Sequence, residues 1–451
     1  MGTKKKSYNF HQRPLFWVLL IGGGLAWGAA WAEGDVTSLP NGLKVLVWEN
    51  PGTASVAVDL WVRTGSRSEP APLNGISHFV EHLLFKGTAR RSAQDISREV
   101  ASGGGFINAF THWEYTQIHL SLLPAHLDRG LDILADMTRN SVMTAEMVEK
   151  ERKVLLEEIS LANIFPPSYV LNLVSKTLFP QNALALPISG TKDSVQAIGR
   201  EDLLKFYKVN YVPERAFITI VGNVSPQKAR DSVRNHFSSW APGNEPLTPA
   251  PPPLRQDGFR EVRERKFLDQ AIVVLALQAM GRHDLDRPAF EIINAVLGAG
   301  AHSRLYQEIR EKKALSYLVG SLYHPLADTG LWATYAGTNP KNIEAVRTIM
   351  YEQIRRVREE PLAAKEMAEI KSYLRGRILI QTENNSRLSD FLGAGLVGGD
   401  LEPPREFLAK LEAVTAADVM RVGRAYLRED QWNLIILKPY PGLTFFRDLL
   451  F

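Results

Sequence analysis

Two histidines spaced four apart, with a glutamate between them, are the residues of this chain best placed to do chemistry. They are His78, Glu81 and His82, within Gly75-Ile76-Ser77-His78-Phe79-Val80-Glu81-His82-Leu83-Leu84-Phe85-Lys86-Gly87-Thr88. From Ile76 to Lys86 the run is largely apolar and free of Gly and Pro, which predicts a helix. Residues three and four apart share a helix face, so the three side chains point one way. Two neutral imidazoles so placed can hold Zn²⁺ at roughly 2.0–2.1 Å, with the carboxylate beside the ion where a water would sit. The alternative is a helix that merely carries polar surface residues, and the rest of the chain has to decide between the two.

Cysteine is absent, so a zinc site here must be built from histidine and carboxylate. A predicted amphipathic helix from Thr144 to Ile159, with Thr144 as N-cap and Met147 on its apolar face, offers both Glu151 and Glu158. Seven residues is about two helical turns, so these two acids share a face. Glu157 reads as a solvated surface charge. One of the two face-sharing acids is then the candidate third ligand.

The elements that must position these groups are legible from pattern. Gly42 to Trp48, after an Asn41-Gly42 turn, and Ser55 to Arg63 read as strands. They precede the motif helix. Ser92 to Ala101 reads as a helix, ended by Gly103-Gly104-Gly105. Phe106 to Thr111 and Thr116 to Leu123 read as strands, and Ala125 to Asn140 as a helix. Phe165-Pro166-Pro167 interrupts, and Arg200 to Tyr207, Ala216 to Gly222 and Ser225 to His236 follow as helix, strand and helix. Residues 241–257 form a Pro-rich linker. Beyond it the order of elements repeats. Ala271 to Gln278 matches Ser55 to Arg63, and Pro288 to Leu297 takes the place of the motif helix. Val414 to Tyr426 with Trp432 to Leu437 mirrors Arg200 to Gly222. At an offset of 211, His78, Glu81 and His82 fall on Ala289, Ile292 and Ile293. The fold class is therefore α+β. Two homologous domains, 33–240 and 258–451, each pair a mixed sheet with helices, and only the first carries the metal set.

Residues 1–32 read as a targeting segment. Lys4, Lys5, Lys6 and Arg13 precede an apolar run, and Ala30-Trp31-Ala32 is a small-residue cleavage pattern. The expectation is an exported, periplasmic protein, with an uncleaved membrane tether as the other reading. These four basic residues account for the whole net charge: without them 49 basic side chains face 49 acidic ones. No basic surplus is left to argue for nucleic acid.

The chain resembles the pitrilysin / insulysin / mitochondrial processing peptidase family in its half-length bacterial branch. The resemblance rests on His78-Phe79-Val80-Glu81-His82 with Phe85-Lys86-Gly87-Thr88, on the spacing to Glu151 and Glu158, and on Ser303-Arg304-Leu305 with Arg310 and Tyr317. His-x-x-Glu-His is the inverted zinc-peptidase order. The resemblance implies Glu158, 76 residues after His82, as third ligand, Glu151 as the group that orients the ligands, and one Zn²⁺ per chain. It implies Glu81 as general base in hydrolysis of peptides or unfolded segments within a closed chamber. It also implies that Asn108 and Ala109 lie on an edge strand that takes an extended substrate, and that Arg310 and Tyr317 clamp it.

Family members enclose substrate with four such domains, and this chain supplies two, so a second chain is implied. A homodimer would be self-sufficient, because both residue sets are present, and a heterodimer with a paralogous subunit is the other arrangement. A catalytically silent scaffold, or a peptide-binding subunit of the same fold, is the rival expectation. The chain departs from the family at Gly298-Ala299-Gly300-Ala301 and at Phe179-Pro180-Gln181-Asn182-Ala183-Leu184. His112 and His119 receive no role.

Overall fold

Short apolar runs, buried on both faces in the central strands, form two sheets, one in each half of the chain. The computed structural model describes residues 34–244 and 252–440. The expected signal segment and residues 245–251 of the Pro-rich linker lie outside the described residues. The first sheet has six strands: β1 (Asp35–Ser38), β2 (Lys44–Glu49), β3 (Val56–Val62), β4 (Phe106–Thr111), β5 (Thr116–Leu122) and β6 (Ala216–Gly222). Their order is β1-β2-β6-β3-β5-β4. The second has five: β7 (Arg260–Lys266), β8 (Ala271–Ala279), β9 (Leu318–Pro325), β10 (Gly330–Thr338) and β11 (Asn433–Pro439), in the order β7-β11-β8-β10-β9.

Leaving β1 aside, the two sheets have one topology. The first strand pairs in parallel with the last, β2 with β6 and β7 with β11, and every other pairing is antiparallel. The repetition read from the sequence is thus present in the strand order. The helix α1 (Ile76–Leu84) and its counterpart α4 (Arg287–Gly298) follow equivalent strands. Ala289, Ile292 and Ile293 are buried in α4, where apolar packing replaces the polar face of α1.

Each half lends a helix to the other's sheet. Helix α3 (Pro166–Leu178) places Leu173, Val174 and Leu178 against Ile272, Val274, Ile435 and Leu437 of the second sheet. Helix α6 (Asn385–Gly398) places Leu388, Leu392 and Leu396 against Leu46, Trp61 and Phe217 of the first. Gly393 is required there: a Cβ would stand 2.1 Å from the Trp61 ring. Phe179 and Leu184, in the stretch that departs from the family pattern, are buried in the same inter-half core. This exchange of helices makes both sheets part of one compact unit.

A polar knot fixes α6 to the first sheet. Asp59 on β3 is fully buried. It accepts from Gln117 Nε2 at 2.8 Å, meets the Ser389 hydroxyl, and lies 2.7 Å from His119 Nδ1. Burial opposes charge on His119, but the hydrogen bond and charge of Asp59, with Asp390 nearby, outweigh it and raise its pKa. A histidine raised on folding lends stability that is complete below about 6.5 and fades as pH rises through the folded value. The unfolding free energy should therefore fall across that rise, and fall less in His119→Gln. Equal slopes in the two proteins, measured by urea titration, would remove the pair from the account.

Candidate metal centre

The metal helix α1 is short, and its start is held from outside. Its N-cap, Gly75, has φ +95°, and a Cβ there would meet the backbone of Gly190 at 2.8 Å, so only glycine fits without strain. Gly75 has no side chain to cap the helix, and Glu69 does it instead. Its buried carboxylate accepts from Gly75 N at 2.7 Å, Ser77 N at 2.8 Å and Asn74 Nδ2 at 3.1 Å. Burial pushes the Glu69 pKa up to about 7, against these hydrogen bonds. Ile76, Phe79, Val80, Leu83 and Leu84 turn into the core and leave His78 and His82 on the open side.

The second helix of the site, α2 (Ala145–Ile164), begins where expected. Thr144 Oγ1 accepts from Met147 N at 3.2 Å. The helix runs one turn further than the sequence pattern indicated and stops before Pro166, which opens α3. Val148, Leu155 and Ile159 bury one side of it, and Glu151 and Glu158 face α1. Glu157 is exposed.

His78, His82 and Glu158 converge. One ligand atom from each lies within 4.8 Å of the other two. Glu158 oxygens stand 3.8 Å from His78 Nε2 and 3.6 Å from His82 Nε2. These separations are of the size that a four-coordinate zinc held by the three side chains would need. The donors also suit zinc chemically. Burial, and then the neighbouring His82, pull the His78 pKa down to about 3, which leaves a neutral imidazole. Glu151, buried, sits 3.3 Å from His82 Nδ1, so that nitrogen carries the proton and Nε2 is left to bind metal. Lys86 Nζ holds the other Glu151 oxygen at 2.9 Å. Glu158 itself is half exposed, which leaves the fourth side of the site open.

Glu81 lies on the same face but takes another partner. Thr111 Oγ1, at the end of β4, donates to Glu81 Oε2 at 2.6 Å. Burial pushes its pKa up to about 7. The Thr111 bond opposes this, and the Glu158 charge adds to it. The structure therefore brings three of the expected residues, His78, His82 and Glu158, to one point, with Glu81 on the same helix and Glu151 behind His82.

β4 is the last strand of its sheet, so its outer edge faces no other strand among the described residues. Asn108 is exposed on the side shared with Phe106 and Phe110, and Ala109 is half buried on the side shared with Thr111. Arg310 and Tyr317 lie elsewhere, on the second half. Arg310 sits in a π-helix, Tyr306–Lys312, and Tyr317 precedes β9 and is 82% exposed. Arg310 donates to the Tyr317 carbonyl at 3.1 Å and lies over the Tyr306 and Tyr317 rings. No contact joins this pair to the histidines among the described residues.

Comparison with known proteins places these parts in one lineage. Residues 44–192 match the family described as Insulinase (Peptidase family M16), and residues 197–374 match the one described as Peptidase M16 inactive domain. An uncharacterized zinc protease of Streptomyces coelicolor is 35% identical over 87% of this chain and 86% of its own length. The chain belongs to peptidase family M16. An uncharacterized zinc protease of Bacillus subtilis is 30% identical over 88% of this chain and 97% of its own. Among solved structures, a protease from Helicobacter pylori superimposes with a TM-score of 0.86 at 26% identity, over 91% of this chain and 100% of that one. The two matches meet between residues 192 and 197, within the first half: the histidines lie in the first match, and Arg310 and Tyr317 in the second.

Thr111, Lys86 and Glu69 escaped the reading of the sequence. Thr111 alternates with Ile107 and Ala109 on the side of β4 facing α1, so strand period alone could have nominated it. Lys86 is one turn after His82. Glu151→Gln should weaken zinc binding roughly 10–100-fold, because the amide orients His82 less firmly and leaves Lys86 unpaired. Competition against a chromophoric chelator measures this, and unchanged affinity would deny Glu151 its role.

Proposed function

We propose that this chain is a zinc-dependent endopeptidase that hydrolyses peptides or unfolded segments inside a dimeric chamber. The observation that carries the proposal is the convergence of His78, His82 and Glu158 beside the buried Glu81. A zinc ion held by those three would supply Lewis-acid chemistry to the scissile carbonyl and make a water beside it acidic near neutral pH. Glu81, one ion per chain assumed, takes the proton of the attacking water and returns it to the leaving amine. Thr111 Oγ1 holds one carboxylate oxygen of Glu81 and so fixes the orientation of the base. No serine or cysteine nucleophile is used and no acyl-enzyme forms.

Substrate lies along the open edge of β4, near Asn108 and Ala109. Main-chain hydrogen bonds give it affinity with little regard to sequence. Arg310 and Tyr317 serve the site of a second copy: Tyr317 donates to the developing oxyanion and Arg310 holds a substrate carbonyl. The exposure of Tyr317 and its place away from the histidines support this division. A homodimer then contains two complete sites. The basic and apolar run at residues 1–32 supports export to the periplasm. The test is digestion by the purified zinc-loaded chain. Short peptides and an unfolded protein should be cleaved, and the same protein folded should be spared. Intact peptides after prolonged incubation would favour the silent scaffold.

A further inference from the structure

The site as described leaves a cavity of about 510 Å³ unexplained, on the side of the first sheet away from α1. Phe110 of β4 and Gln117 of β5, a cross-strand pair, form one wall, and α6 with α5 (Ala364–Glu383) forms another. Arg282, just past β8, closes the floor with Arg287.

The charges in this cavity do not balance. Arg287 pairs with Glu402 at 2.8 Å, and Arg387 lies 3.6 Å from Asp390. Arg282 is left over. Its guanidinium makes one hydrogen bond, from Nη2 to the Pro325 carbonyl at 3.0 Å, and no carboxylate lies within 4.0 Å of it among the described residues. The closest acid in charge, Glu114, is already committed to Arg67 at 3.0 Å and to Ala327 N at 3.0 Å. Burial and the proximity of Arg287 pull the Arg282 pKa down, against the opposing charge of Glu114. A half-buried guanidinium with no carboxylate of its own presents a planar pair of donors suited to one. Gln117 adds a second open valence. Its Nε2 donates to Asp59 and Asp390, and its Oε1 is buried with no donor, which suits an N–H of the same ligand.

We infer that this cavity is a subsite for a carboxylate of the bound peptide, with Arg282 as the group that reads it. The inference rests on the peptidase reading above and adds a substrate preference to it. An extended peptide on the edge of β4 sends alternate side chains to opposite faces, one towards Glu81 and the next towards Phe110. Phe110 adjoins Thr111, which holds Glu81, and a strand advances ~3.3 Å per residue. The carboxylate read by Arg282 therefore belongs to a residue within about two positions of the scissile bond.

The test uses matched peptides carrying Glu or Gln at each such position, cleaved by the zinc-loaded full chain. At one position kcat/KM for Glu should exceed that for Gln roughly tenfold, the worth of a charge-assisted bond. Arg282→Gln should bring the two rates together while still cleaving the Gln peptide, and Arg282→Lys should keep part of the preference. The ratio is taken on one preparation, so partial misfolding cancels. Peptides that end at that position as free acid or amide separate a terminal carboxylate from a side-chain one, and preference for either acid supports the subsite. Equal cleavage of Glu and Gln peptides by the unmodified chain, or an undiminished preference in Arg282→Gln, overturns this inference alone. Failure to cleave any peptide overturns the peptidase reading and this inference with it.

Discussion

Glu81→Gln should lower kcat by ~10²–10⁴-fold while the chain keeps its zinc. The two halves of that expectation come from different contacts. Glu81 lies outside the converging set of His78, His82 and Glu158, so its loss as an acid removes no ligand. The amide keeps the shape of the carboxylate and can still accept from Thr111 Oγ1, which now holds Glu81 at 2.6 Å. What the amide cannot do is take a proton. Peptide affinity should change little, because in the proposed binding mode β4 would supply the backbone contacts. Wild-type turnover in this variant, with zinc content measured in the same sample, would remove Glu81 from the mechanism. Loss of zinc along with activity would make it a ligand instead of a base.

Tyr317→Phe should also be severely impaired, by about 10²–10³-fold, as when one oxyanion donor is removed. The more telling result is a mixture. Glu81→Gln and Tyr317→Phe chains, unfolded together and refolded at equal amounts, should recover about a quarter of the wild-type sites. Half of the dimers are then hybrids, and each hybrid joins the intact Glu81 of one chain to the intact Tyr317 of the other. Such rescue requires that the pair serve the neighbouring subunit. If each chain completed its own site, mixing would return only the average of two inactive proteins. The proposed dimer predicts the first outcome, and the contact of Arg310 with the exposed Tyr317, with none to the histidines of their own chain among the described residues, supports it.

How much of this was legible in the sequence follows from what each feature depends on. The motif helix, its two histidines and the facing pair Glu151 and Glu158 rest on helical period, a local property, and all lie where the spacing put them. The strand order of each sheet repeats, as the repeated run of elements implied. The joint between Glu81 and Thr111 needs β4 to pass beside α1, and only the folded sheet provides that. The same holds for the crossed helices α3 and α6. Their apolar faces are visible in the sequence, but nothing local says that each covers the other half's sheet. Glu69 was hidden because it caps α1 from outside the helix, where a side chain at Gly75 would ordinarily do so. Arg282 was hidden for a different reason: its significance lies in a missing partner, which no spacing reveals.

The central claim is that His78, His82 and Glu158 hold one catalytic zinc beside Glu81. It is tested most directly by stripping the purified chain with a chelator, removing the chelator, and restoring zinc stepwise while cleavage of one peptide is followed. Activity should vanish on stripping and return in proportion to added zinc, levelling at one ion per chain. In Glu158→Ala it should not return over that range. Cleavage that survives complete removal of the metal, or full recovery by Glu158→Ala at one equivalent, would contradict the account.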